Sequence, residues 1–417
     1  MKVKLRYISV FALLFIFISC VDSPTSPDEE VGDRGEINNI STVADYDLET
    51  IQQFFSQSGY TFPGELKHGL SLRRIVYSTV DPEGNPVKAS GALLIPDGAG
   101  AAPLFSLQHG TVFRRNQVTS ESIYHAAEGV VAVVFTSNGY VTAVPDYLGY
   151  GVSEQMHPYI HAEGNAPVVI DFIRAVRAYC DEQGIELNGQ LFLGGYSEGG
   201  YVTLATQKRI ESSHSDEIQL TGVAPCAGPY DLHGFMQRVA ERYAYPVPEN
   251  MCFLLTAYNE IYGWERLPYM FQEPYAEQMQ SLFNGSNGYD EINNVLPDSV
   301  AEILQPGFIE DLRNQEIQEI ISAFRENSLL DWAPKTPVHF FHGEADKTVD
   351  VQNSLAAYNR FSESSTAEIL LTTYEGMNHS EAAEPAFRDM FQWFETLRYG
   401  AENVAGQNLS YEYGGEF

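Results

Sequence analysis

The chain has 417 residues, a formal net charge of −32 and a hydrophobic content of 44%. That length suits one large α/β domain with an insertion, or two domains, and the hydrophobic share supports a sizeable core. Acidity on this scale argues against nucleic acid and anionic membranes as partners, because phosphates would be repelled rather than neutralised.

The chain opens with Lys2, Lys4 and Arg6, followed by an apolar run from Tyr7 to Ser19 that is short for a bilayer span. A small residue, Ser19, directly precedes Cys20, and this arrangement resembles a bacterial lipoprotein signal. The resemblance implies cleavage of residues 1–19, a lipid on Cys20 and attachment to a membrane of the cell envelope. The alternative is an ordinary signal peptide and a soluble secreted protein. Residues 20–40 are rich in Ser, Pro, Asp, Glu, Gly and Asn and suit a flexible tether. With Cys20 lipidated, three cysteines are left. Cys180 reads as a buried thiol, while Cys226 and Cys252 are either thiols or a disulfide of an oxidising compartment. No Cys/His spacing suggests a metal.

Asp45 to Ser58 has helical spacing. Leu72–Ser78 and Val87–Ile95 alternate around the turn signal at residues 81–84 and predict a hairpin. Pro103–Leu107 is a buried strand leading into Gln108-His109-Gly110-Thr111. Glu128–Asn138 predicts a helix, Tyr140–Val144 a strand, and Ala166–Gln183 an amphipathic helix closed by Gly184. Gln190–Leu193 and Gly200–Ile210 predict a strand and a helix on either side of Gly195-Tyr196-Ser197-Glu198-Gly199. Ile218–Ala224 is the next strand. Residues 233–332 lose the alternation and read as a helical insertion, a cap or lid. Strands at Pro337–Phe341 and Ala367–Tyr374, a helix at Glu381–Arg398 and a polar tail over residues 400–417 complete the chain. Alternation of strand and helix predicts a mostly parallel sheet covered by helices on both faces, in two core segments, 41–232 and 333–399. The site then lies at the carboxyl ends of the strands.

Gly195-Tyr196-Ser197-Glu198-Gly199 fits G-x-S-x-G between a strand and a helix, the setting of a nucleophile elbow. A serine hydroxyl is scarcely ionised at neutral pH and needs a base, and the base needs an orienter. His379 and Asp346 each follow a predicted strand, in the order Ser, Asp, His. Asp350 and Glu344 are rivals for Asp346, and His342 reads as a turn residue. Developing negative charge needs two backbone donors. The N–H of Glu198 is the first candidate, Thr111 the second, then Gly110. The Glu198 side chain is left to solvent or to a helix cap.

These residues resemble the α/β-hydrolase superfamily over residues 70–232 and 335–398. Gln108 to Thr111, Pro145 to Gly151, His157-Pro158-Tyr159-Ile160-His161 and Gly195 to Gly200 are similar to bacterial relatives of the secretory lipase group. The resemblance implies the α/β-hydrolase fold and a serine carboxylic-ester hydrolase acting on lipid, acylated-sugar or other esters, with no metal or cofactor. A serine peptidase of the prolyl-oligopeptidase type and a non-catalytic binding protein are the alternatives. Phe253, Tyr258, Tyr262, Trp264, Tyr269 and Phe271 of the insertion either line an acyl pocket or form the insertion's own core.

Overall fold

The computed structural model describes residues 32–58, 66–125, 127–242 and 244–400. The signal segment, Cys20 and the tail beyond residue 400 lie outside them. The strands are β1 (Ile37–Tyr46), β2 (Leu70–Val80), β3 (Pro86–Pro96), β4 (Ala102–Gln108), β5 (Val141–Pro145), β6 (Leu187–Tyr196), β7 (Gly222–Cys226), β8 (Val338–Gly343) and β9 (Ile369–Tyr374). They form one sheet in the order β1-β2-β3-β5-β4-β6-β7-β8-β9. From β5 to β9 neighbouring strands are parallel. The first three strands form an antiparallel extension.

Helices cover both faces. On one lie α1 (Leu48–Ser58), α2 (Ala127–Ser137) and α14 (Ala383–Tyr399), packed around Phe105, Phe135, Phe192 and Phe394. On the other lie α3 (Ala162–Gln183), α4 (Glu198–Ser213) and α13 (Gln352–Ser364). Burial on both sides is why β4, β5, β7 and β8 are buried at every position rather than alternating. Polar groups at strand ends therefore stand out against an apolar background.

Two expectations change and one open alternative is decided. The tether predicted to reach residue 40 ends earlier, because Ile37–Tyr46 is an edge strand paired along β2. Arg34 donates to the buried Asp171 at 3.0 Å, and Gly35 N donates to Ser78 O at 2.8 Å, so order begins before the strand. An edge strand can be stabilised mainly by its backbone ladder, so its sequence, with Asn38, Asn39, Ser41, Thr42 and Asp45, needs no strict apolar alternation. Helix α3 starts at Ala162, four residues before the predicted start. The His161 side chain caps it by accepting from Gly164 N, and Pro167 is accommodated inside. Cys226 and Cys252 are both free thiols, as is Cys180, and all three are buried.

Between β7 and β8 the described residues form helices joined by loops and turns, with one isolated bridge between Phe271 and Leu304. Its helices are α5 (Leu232–Arg242), α6 (Pro248–Ile261), α7 (Leu267–Met270), α8 (Met279–Leu282), α9 (Tyr289–Asn293), α10 (Val300–Ile303), α11 (Pro306–Arg313) and α12 (Gln318–Glu326). Their apolar faces join the core on the α3/α4 side of the sheet. Phe253, Tyr258 and Phe271 are fully buried there. Tyr262 stacks on Trp264 at 5.3 Å, and Tyr269 meets Phe308 edge-on. These aromatics are packing residues of a core shared with the sheet domain: Phe253 stacks on Tyr159 as well as on Phe283 of the insertion.

Candidate active site

Strand β6 ends at Tyr196, and α4 begins at Glu198. Ser197 between them has φ 60° and ψ −122°, a conformation that costs an L-residue energy and persists only where its surroundings enforce it. The enforcement is visible. Ser197 N donates to Cys226 O at 2.9 Å. A Cβ on Gly195 would sit 2.5 Å from Gln108 O, and one on Gly199 only 2.1 Å from the same oxygen. The two motif glycines thus let the elbow press against the end of β4. They bring the nucleophile candidate beside the Gln108 to Thr111 loop.

Because β6, β7, β8 and β9 are parallel and adjacent, the residues following β6, β8 and β9 meet at one sheet edge. Ser197 Oγ lies 2.9 Å from His379 Nε2, and His379 Nδ1 lies 2.6 Å from Asp346 Oδ2. Tyr196 OH donates to His379 O at 2.7 Å, fixing the loop that carries the ring. The rivals of Asp346 are engaged elsewhere. Asp350 pairs with Arg242 at 3.0 Å, and Glu344 accepts from Thr373.

Asp346 is 5% exposed and has more partners than one histidine. Its Oδ1 accepts from Thr348 N at 2.8 Å and Val349 N at 2.9 Å, and its Oδ2 is 3.1 Å from His342 Nε2. Burial alone would raise its pKa, but the bonds from His342 and His379 prevail and hold the carboxyl at about 2. His342 is therefore no turn residue. It is fully buried at the end of β8, with Nδ1 2.7 Å from Ser354 Oγ and Nε2 2.8 Å from Val349 O. The carbonyl and carboxylate can only accept, so Nε2 carries the hydrogen and Nδ1 accepts from Ser354. Sequence offered one signal for this, a histidine four residues before the aspartate.

Of the three predicted donors, two are available. Glu198 opens α4, where first-turn N–H groups lack a helical acceptor. Among the described residues, Thr111 N–H has no backbone acceptor outside helices and strands. Gly110 differs from expectation. Its N–H donates to the Glu128 carboxylate at 2.8 Å, so it is already committed. The Glu198 side chain also differs: it is 1% exposed, and its Oε1 contacts His157 Nε2.

A recess opens at Ser197, walled by Tyr159, Ile160, Leu232, Phe235, Met251 and Leu254. None of the six insertion aromatics singled out in the sequence lines it. The insertion contributes other side chains instead, Phe235, Tyr245, Asn250, Met251 and Leu254. The described residues contain no group of side chains suited to hold a metal ion.

Residues 115–402 match the family model described as secretory lipase. No match was found among curated proteins. Among solved structures, the rice cell wall degrading esterase LipA of Xanthomonas oryzae is 28% identical with a TM-score of 0.77, over 88% of this chain and 97% of that one. A protein of Legionella pneumophila classed as a hydrolase has a TM-score of 0.81 at 24% identity, over 88% of this chain and 99% of that one. Candida antarctica lipase A in its closed state has a TM-score of 0.66 at 13% identity, over 87% and 82%. The last two likenesses speak for the fold alone. The family match spans most of the chain, and the esterase likeness covers nearly all of its relative: the chain belongs to the secretory lipase family and is an α/β-hydrolase of the esterase and lipase type.

Proposed function

We propose that the chain is a serine hydrolase that cleaves carboxylic esters through an acyl-enzyme. The observation that carries this reading is the continuous hydrogen-bonded line from Ser197 through His379 to the buried Asp346. Ser197 Oγ attacks the ester carbonyl while His379 Nε2 takes its proton. Asp346 holds the Nδ1–H tautomer and stabilises the imidazolium. The N–H groups of Glu198 and Thr111 receive the negative oxygen of the tetrahedral intermediate. Its collapse breaks the C–O bond, and His379 protonates the departing alcohol. Water then attacks the acyl group by the same route in reverse and releases the acid.

The mostly apolar cavity supports an acyl group as its occupant, and the helical insertion acts as the cap over it. The likeness to a rice cell wall degrading esterase adds support for esters of cell-wall material beside lipids as substrates. Family membership supports export, and the cysteine after the apolar leader supports attachment through lipid on Cys20. A fluorophosphonate probe should label wild type and leave Ser197→Ala unlabelled; equal labelling would refute the nucleophile. p-Nitrophenyl acetate, butyrate and palmitate should outpace a prolyl-peptide amide, and predominant amide cleavage would overturn the ester reading. Incorporation of a fatty-acid analogue should vanish in Cys20→Ala.

A further inference from the structure

The segment His157 to His161 stood out in the sequence, yet the steps above leave it without a role. It is buried, and it touches both candidate donor loops. His157 is 2% exposed. Its Nδ1 is 2.8 Å from Leu148 O, and its Nε2 is 2.5 Å from Glu198 Oε1. The Leu148 carbonyl can only accept, so Nδ1 must bear hydrogen. The contact between Nε2 and Oε1 then contains one further proton held between the two residues. Two residues on, Tyr159 OH is 2.9 Å from Thr111 Oγ1. One short segment therefore grips the side chains of Glu198 and Thr111, the two residues proposed above as oxyanion donors.

The segment is itself under restraint. Ile160 has φ 52°, an outlier for a β-branched residue and a conformation that needs external support. Tyr258 of α6 supplies it, donating its OH to Ile160 O at 2.8 Å. Asn165 donates to Pro158 O at 2.7 Å, and Phe253 of α6 stacks on Tyr159 at 4.7 Å. Tyr147 stacks on the His157 ring.

We propose that residues 157–161 form a brace that aims the two oxyanion N–H groups, with His157 positioning Glu198, Tyr159 positioning Thr111, and helix α6 holding the brace in its strained shape. Glu198 thus acts twice, through its N–H on the substrate and through its carboxylate on its own placement. This rests on the serine-hydrolase reading above and gives residues 157–161 a positioning role through Glu198 and Thr111, beside the place of Tyr159 and Ile160 in the cavity wall. It also links the insertion to catalysis, because α6 both walls the cavity and supports Ile160.

The test uses the full chain, with active sites counted by stoichiometric fluorophosphonate labelling. For each variant, kcat per labelled site and KM are measured on p-nitrophenyl butyrate, with Ki for phenylboronic acid, which forms a tetrahedral adduct on the serine. A complete oxyanion donor is worth about 100- to 1,000-fold in kcat, so a misaimed one should cost less. Tyr159→Phe should lower kcat roughly three- to tenfold and raise the boronate Ki in step, with KM nearly unchanged. Glu198→Ala should lower kcat about 10- to 100-fold, and Glu198→Gln should recover much of that loss, since an amide N–H still bridges to Nε2. A purely structural role would lower thermal stability yet leave kcat per labelled site and Ki within about twofold in Tyr159→Phe and Glu198→Ala, and that result overturns the brace. A Gln variant no better than Ala also overturns it. Those failures leave wild-type labelling intact. Loss of labelling in wild type itself would refute the hydrolase reading, and the brace with it.

Discussion

Replacing Asp346 by Asn separates what the carboxylate does for chemistry from what it does for folding. The geometry around Oδ1 survives, because an amide oxygen still accepts from Thr348 N and Val349 N. The other position reverses. An amide N–H₂ there faces His379 Nδ1 and His342 Nε2, both of which donate in the wild type. His379 must shift its hydrogen to Nε2, which puts a donor against Ser197 and removes the base. Loss of the tautomer in triads of this kind costs about 10⁴-fold in kcat. His342 cannot adapt as easily, since Val349 O also needs its Nε2–H.

The folding side follows from the depressed pKa. Asp346 titrates at about 2 in the folded chain, against 3.8 as its ordinary value. A depressed carboxylate stabilises above its unfolded pKa, and the benefit fades as pH falls toward the folded one. The shift is worth about 2 kcal/mol at pH 7 and only about 1 kcal/mol at pH 3. Urea melts of wild type and Asp346→Asn at both pH values isolate this term, because other carboxylates titrate alike in the two proteins. The stability gap should narrow by about 1 kcal/mol at pH 3. A gap that is constant or widens would refute the account of Asp346 as a strongly ionised hub, whatever happens to activity.

Other outcomes follow from the packing. Gly199→Ala places a methyl 2.1 Å from Gln108 O, so it should unfold the elbow or displace the oxyanion loop; near-normal kcat and thermal stability would contradict that fit. Glu128→Ala strands the Gly110 N–H and should cost about 1–3 kcal/mol in a denaturant melt. Burial raises the Cys180 thiol to about 12 and lifts Cys226 and Cys252 as well, so all three should resist a thiol reagent until urea unfolds the chain.

The framework of the site was readable because it is written in local signals. Two glycines around Ser197 announce a close approach, and successive strand ends place Asp346 and His379 on the same edge. What escaped depends on long-range partners. Gly110 looked as free as Thr111 until Glu128, eighteen residues on, took its N–H. Glu198 looked like a surface cap because nothing local reveals that His157 will meet it across forty-one residues. His342 belongs to a strand whose other side faces Ser354 on α13, a helix the pattern did not isolate. Strand β1 escaped because an edge can pair through its backbone with polar side chains outward. Helical spacing in the insertion could not distinguish pocket walls from packing: the six singled-out aromatics turned out to be packing, while Phe235 and Tyr245 line the recess.

The sheet order has a bearing on when the chain can act. Ser197 and His379 are 182 residues apart. The hydrogen bond between them closes a loop that holds the whole insertion and the last two strands. Contacts of such long sequence separation form late and slowly, since the entropy of closing the loop comes before any return. On the proposed mechanism, the serine leaves the ribosome long before its base exists. A nascent or truncated chain therefore carries an inert hydroxyl, and hydrolytic power arises only once the C-terminal strands have docked.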